Sequence, residues 1–274
     1  MSVLTLASFG TSPGVTTAAV AMTLSWPRPV LLVEADASKP SSVLAGWLQG
    51  SIPADSGLIG VAQASFHRTI SEQDVWDQAV ELSGSEATTA RWLLPAIAEP
   101  RAARGMRSFW ADLFAVLRRI SEQDIDVIID AGRAEAPYGR ESLWADADHL
   151  NVVLRSDLVS VAATRSYLPE LVTARAERGI GDSLSLTLVE DRAQRLPSKD
   201  VATVLGAPVR GRLPHAAEAA AHFGGGARVS HLRLRPYTRA VQALNASLGD
   251  ALLSRREIIE KTEPMQGELS LIHI

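Results

Sequence analysis

The chain has 274 residues, of which 46% are hydrophobic and 21% charged, with a formal net charge of −4 and no cysteine. That length suffices for one large α/β domain with a sizeable core, while the missing cysteines exclude disulfides and thiolate metal sites. The acidic balance argues against wholesale nucleic-acid binding and leaves room for a local basic patch.

No apolar run approaches the ~18–20 residues of a membrane span. The N-terminus lacks a basic segment followed by an apolar one. Together these features predict a cytoplasmic protein. Lysine occurs only at Lys39, Lys199 and Lys261, so arginine carries most of the positive charge.

Strand-like apolar runs come at Ser2–Ser8, Pro29–Glu34, Trp92–Leu94, Ile125–Asp130, Leu150–Leu154, Ser185–Val189 and Pro208–Arg212. Their near-continuous apolar character suits a parallel sheet covered on both faces. Helical patterns separate them at Thr16–Ser25, Pro40–Trp47, Arg107–Ile120, Leu158–Glu177 and Lys199–Leu205, and a last helix runs from about Pro236 to Lys261. This alternation predicts right-handed crossovers and an α/β fold, a doubly wound, mostly parallel sheet flanked by helices. Residues 49–91 show helical patterning and little strand signal. They read as a helical insertion in a single domain spanning residues 1–262. Ser71 is a candidate helix cap there. The stretch FGGGAR, Phe223–Arg228, reads as a flexible turn, and residues 263–274 as a flexible tail.

The first strand runs into ASFGTSPGVTT, Ala7–Thr17. A phosphate-binding loop needs inward backbone N–H groups, a helix N-terminus aimed at the same point, a lysine, and a hydroxyl for Mg²⁺. Gly10 and Gly14 supply turn flexibility, and Thr16 and Thr17 open an alanine-rich helix. Thr16 stands at the metal-hydroxyl position, but Val15 stands at the lysine position. Thr11, Ser12 and Pro13 complete the turn. A plain strand-to-helix turn with no ligand fits the loop by itself equally well. The second strand ends in Glu34-Ala35-Asp36 and the fourth in Asp130. Ligands of open α/β sheets bind outside the carboxyl ends of the strands, so loop and acids are expected to share one crevice. Carboxylates beside phosphates imply Mg²⁺ between them. Each acid alone also reads as an exposed carboxylate or a helix cap.

On these residues the chain resembles the MinD/ParA family of P-loop ATPases. Their deviant phosphate loop reads SGKGGxGKTT. Ser8 to Thr17 keeps its serine, its last glycine and both threonines, with Gly10 at the lysine that reaches across the dimer and Val15 at the P-loop lysine. VEADASKP resembles the family's switch I and DVIIDAGR its switch II. The likeness continues through Ala145–Leu171 and Leu184–Ala220, and it is similar to a lysine-less branch of high-GC actinobacteria with the loop sPGvTtTA. The resemblance implies ATP and Mg²⁺ as ligands. It places Gly10 to Thr17 and Arg133 at the nucleotide, Thr16, Asp36 and Asp130 at the metal, and Asp36 at the attacking water. It also implies a homodimer and a role in chromosome, septum, pilus or secretion-machine positioning, with a protein partner and a peripheral place at membrane or nucleoid.

The two missing lysines point to weak or absent hydrolysis. Arg133 and Lys39 are substitute cations or plain surface charges. The family's adenine-recognising asparagine has no match in Val189-Glu190-Asp191-Arg192. The alternative is a pseudo-ATPase scaffold that binds no nucleotide. A dinucleotide enzyme fits less well, because the loop lacks G-x-G-x-x-G. Near the C-terminus, Arg228, Arg233, Arg235 and Arg239, with His231 and Tyr237 between them, form a candidate contact for DNA or anionic lipid, or simply a solvated helix start.

Overall fold

The computed structural model describes residues 1–53, 56–84, 87–97, 105–134, 139–190 and 195–262, with side chains described up to residue 254. The tail 263–274 and Asp191–Arg192 lie outside the described residues.

Eight strands form one sheet: β1 (Val3–Ser8), β2 (Val30–Glu34), β3 (Val80–Glu81), β4 (Arg91–Leu94), β5 (Asp126–Arg133), β6 (His149–Arg155), β7 (Leu184–Glu190) and β8 (Val209–Pro214). Their order is β3-β4-β2-β5-β1-β6-β7-β8. All neighbours pair parallel except β3 with β4. The seven apolar runs of the sequence are the seven parallel strands. β3 is a two-residue edge piece inside the stretch read as helical, too short to carry a periodic signal.

The strands are apolar on both faces because both faces are covered. Val3 and Ala7 of β1, Leu31 and Val33 of β2 and Val127 and Ile129 of β5 face α4 (Phe109–Ser121) and α6 (Leu158–Ala176). Leu4, Leu6, Leu32 and Ile128 face α1 (Val15–Leu24) and α9 (His231–Thr262). Buried Trp110, Leu113 and Leu117 of α4 fill the first layer; Met22 of α1 and Leu244 and Leu248 of α9 fill the second.

Smaller helices complete the chain: α2 (Leu58–Ser65), α3 (Glu72–Trp76), α5 (Ser142–Ala145), α7 (Ser198–Leu205) and the short α8 (Ala217–Ala219). Ser71 caps α3 in a reciprocal capping box with Asp74. Two expectations shift. The helix expected over Pro40–Trp47 is a single wide π-helical turn, Val43–Trp47. The last helix starts at His231, not Pro236, because the carbonyl of Ser230 already accepts from Arg233 N (3.0 Å) and Leu234 N (3.3 Å) ahead of the proline. The adjacent carboxyl ends of β2, β5 and β1 set the place of the site.

Candidate functional site

β1 delivers the chain into the loop at Ser8, whose Oγ donates to the carbonyls of Thr11 (3.0 Å) and Gly132 (3.2 Å). Gly14 adopts φ 101°, ψ 42° as the N-cap of α1, and Gly10 has φ 72°. Both are left-handed conformations that side chains resist. Space decides at Gly10 as well, since a Cβ there would lie 2.6 Å from Ala163 Cβ on α6. The first turn of α1 has no acidic residue of its own, and the positive end of its dipole faces the loop.

A cavity of about 530 Å³ opens at this helix end, within the ordinary range for small-molecule sites. Ser12, Gly14, Val15, Thr16 and Thr17 line it from the loop and α1, Asp36, Ser38, Lys39 and Ser42 from the segment after β2, and Gly132 and Arg133 from β5. Gly10, Thr11 and Pro13 shape the loop without lining the cavity. Val15 does two things at once. It touches the cavity and packs into the core layer under α1, 5% exposed.

The acids separate into distinct roles. Asp36 Oδ1 accepts from Ser38 N (3.0 Å) and Ser38 Oγ (2.6 Å), and its Oδ2 lies 3.7 Å from Lys39 Nζ. Lys39 Nζ also donates to Thr16 Oγ1 at 3.2 Å. Asp130 is 1% exposed and accepts from Gly132 N at Oδ1 (3.0 Å). Burial pushes its carboxyl up to about 6 against the pull of the Thr16 hydroxyl; Asp36 adds repulsion and Lys39 adds attraction. The Thr16 hydroxyl is near enough to favour the charged form, yet Asp130 Oδ2 is buried without a hydrogen bond of ordinary geometry.

Glu34 departs from the expected crevice. It is 2% exposed, accepts from Ser41 Oγ (2.5 Å) and Ala96 N (3.3 Å), and does not line the cavity. Burial, reinforced by Asp130, pushes its carboxyl up to about 7.

The register explains this approach of carboxylates. Glu34 pairs with Asp130, and between Leu6↔Asp130 and Ser8↔Arg133 β5 carries one extra residue. The resulting bulge turns Gly132 to φ 56° and leaves room for Asp36, since a Cβ there would lie 2.2 Å from Asp36 Cγ.

Two parts of the site gave no usable signal in the sequence. The buried guanidinium of Arg140 donates to the carbonyls of Ala35 (2.6 Å), Ala131 (2.9 Å) and Arg133 (2.8 Å) and so clamps the ends of β2 and β5 together. The other part is a wall made by Ala220, Gly224 and Gly225, where FGGGAR had read only as a flexible turn. A Cβ on Gly46 would lie 2.6 Å from the carbonyl carbon and oxygen of Gly225, and one on Gly226 2.1 Å from Gly46 O. The triple glycine therefore lets two backbones touch. Arg228, Arg233, Arg235 and Arg239 are exposed around the start of α9, with Arg233 Nη1 2.8 Å from Glu218. Tyr237 is buried, so it belongs to the core and not to that surface.

Among the described residues, no helix is long and apolar enough to cross a membrane. No group of three or more histidine, aspartate or glutamate side chains among them is placed to hold a metal ion.

No family model and no curated protein matches the sequence. Solved structures do. The MinD cell division protein of Aquifex aeolicus superimposes with a TM-score of 0.67 at 17% identity, covering 91% of this chain and 98% of that one. A ParA family ATPase from Chlorobium tepidum gives 0.64 at 15%, covering 92% and 98%. A Cyanothece McdA variant in complex with ATP gives 0.64 at 18%, covering 91% and 96%. The structural neighbours are thus MinD/ParA-family P-loop ATPases. At these identities the likeness is one of fold, and the chain has the MinD/ParA P-loop NTPase architecture.

Proposed function

We propose that this chain is a degenerate MinD/ParA-like nucleotide switch. It binds ATP in the crevice between the Gly10–Thr17 loop and the ends of β2 and β5, and hydrolyses it weakly or not at all. The observation that carries this reading is a set of groups around one cavity: the N-terminus of α1, with no acid in its own first turn, the Thr16 hydroxyl and Asp36, with the incompletely bonded Asp130 behind them. The helix end attracts phosphate. The oxygen donors call for a cation.

The donor chemistry fits Mg²⁺, which favours hydroxyl and carboxylate oxygens and keeps several waters. Thr16, Asp36 and Asp130 would hold it, and the phosphates would have to complete its shell. Bound there, the metal would neutralise charge on the phosphate oxygens. Asp36 would orient a water if turnover survives. Val15 and Gly10 bring no charge where the resemblance expects lysines. A missing cation of that kind removes roughly 3–5 kcal/mol of transition-state stabilisation, a slowing of hundreds-fold or more. A fluorescent ATP analogue titrated onto the protein should therefore bind saturably and be competed by ATP, with turnover near background. No affinity at millimolar nucleotide would overturn the reading.

The pseudo-ATPase scaffold keeps one supporting observation. Val15 is seated in the core, and Lys39 bridges Thr16 and Asp36, so much of the crevice is satisfied by the chain itself. In either case the fold suits a homodimer serving chromosome, septum, pilus or secretion-machine positioning, with a protein partner. The exposed arginines at α9 suit a polyanion, DNA or an anionic membrane, at the nucleoid or the membrane.

A further inference from the structure

The oxygen donors around the cavity already have a cation beside them, and it belongs to the chain. Lys39 Nζ lies 3.2 Å from Thr16 Oγ1 and 3.7 Å from Asp36 Oδ2. It also exerts an attractive pull on Asp130 and Glu34. A metal ion bound by Thr16, Asp36 and Asp130 would occupy the same ground. We propose that Lys39 is the built-in cation of this site, so that a nucleoside triphosphate binds here without a divalent metal. The inference rests on the nucleotide reading and states which positive charge serves it.

Three features support it. First, the placement is constructed. Ser38 N and Oγ both donate to Asp36 Oδ1, which turns the chain directly after Asp36 and sets Lys39 over Thr16. Proline follows at position 40 and limits the backbone freedom of Lys39. Second, the ammonium is not used up. It has three N–H donors, Thr16 and Asp36 engage two directions, and its side chain is 47% exposed on the cavity wall. A phosphate oxygen entering the cavity has a donor to meet. Third, the charge is needed there. Asp36 and Asp130 would repel a triphosphate, and Val15 supplies nothing against them. One ammonium 3.7 Å from Asp36 offsets part of that repulsion, at the position a divalent ion would otherwise take. A metal arriving at the same place would have to displace Lys39 from Thr16 first.

The test is a titration of ATP onto the full chain, followed by calorimetry, once in EDTA and once in millimolar MgCl₂. The wild type is expected to bind in EDTA with an affinity within about threefold of that in Mg²⁺. Lys39→Gln is expected to lose at least tenfold in EDTA and to recover most of it in Mg²⁺, because removing the ammonium vacates the metal's place. Lys39→Arg, which keeps the charge, is expected to retain most binding in EDTA and so controls for misfolding. Wild-type binding that disappears in EDTA and returns with Mg²⁺ overturns the inference and leaves the nucleotide reading standing. So does an unchanged affinity of Lys39→Gln in EDTA. Absence of binding in both buffers overturns the nucleotide reading and this inference with it.

Discussion

Val15 shows how one side chain redirects a site. In the phosphate loop a lysine at this position would reach forward to the ligand. The valine reaches back and joins the core beneath α1. Val15→Lys should therefore act in two directions. Losing the packed valine costs about 1 kcal/mol, a fall of roughly 2–4 °C in the melting midpoint. The new charge at the cavity should tighten ATP about tenfold, measurable by calorimetry. An unchanged or weaker affinity would show a crevice no longer shaped for phosphates. Glu34 is buried away from the cavity that Asp36 lines. Its carboxyl is held up near 7 in the folded state, so the protonated form is the one that the fold favours. Its contribution to stability is full below about pH 4.5 and is lost as pH rises through about 7. Urea midpoints between pH 4 and 8 should fall with rising pH in the wild type and fall less in Glu34→Gln, where the remaining slope, complete once pH has risen through about 6, comes from Asp130. A midpoint that rises through this window would contradict the burial argument. At this scale the sequence disclosed the acids and the missing lysines. It did not disclose that Ser41 and Ala96 N, from two separate segments, capture Glu34, nor that the turn after Asp36 sets Lys39 on Thr16. Those contacts depend on tertiary proximity, which spacing along the chain does not encode.

Between elements, the site is held by close backbone approaches. The bulge in β5 works only with glycine at 132. Gly132→Ala puts a Cβ on the Asp36 carboxyl at an unfavourable positive φ, which should cost on the order of 1–3 kcal/mol and abolish ATP binding. Wild-type stability and affinity in that variant would refute the assigned geometry. Arg140 joins the ends of β2 and β5 through three carbonyls. Arg140→Met leaves those acceptors without that donor, a loss of about 3 kcal/mol or more, read as a drop of roughly 6–12 °C in the midpoint. A drop under 2 °C would remove its clamping role. The parallel strands were legible because continuous apolar runs between helical patterns bury well only in a sheet covered on both faces. β3 was not, because two residues carry no period. The π-helical turn at Val43–Trp47 was read as an ordinary helix, since its residues are compatible with both. The glycine wall was read as flexible because glycine permits motion and close packing alike, and only the facing Gly46 distinguishes them.

Across the whole molecule, alternation of strand and helix sufficed to give the doubly wound architecture, and the sheet order brings the ends of β2, β5 and β1 side by side. Process and partner are less legible, because they depend on surfaces that the core pattern does not constrain. The arginines at α9 illustrate this. All four are exposed, but Arg233 already pairs with Glu218, and surface pairs of that kind contribute little. If the patch holds a polyanion, changing Arg228, Arg235 and Arg239 together to glutamate should abolish DNA retention at low salt. Equal retention by wild type and variant would assign the patch to ordinary solvated surface. The central claim, that loop, hydroxyl and acids enclose a triphosphate site, is tested most directly by a crystal structure determined after soaking with a non-hydrolysable ATP analogue. Phosphate density is expected against the N-terminus of α1 at Gly14–Thr17, with Lys39 within hydrogen-bond distance of a phosphate oxygen. A crevice holding only solvent at millimolar analogue, with Lys39 still on Thr16, would contradict it.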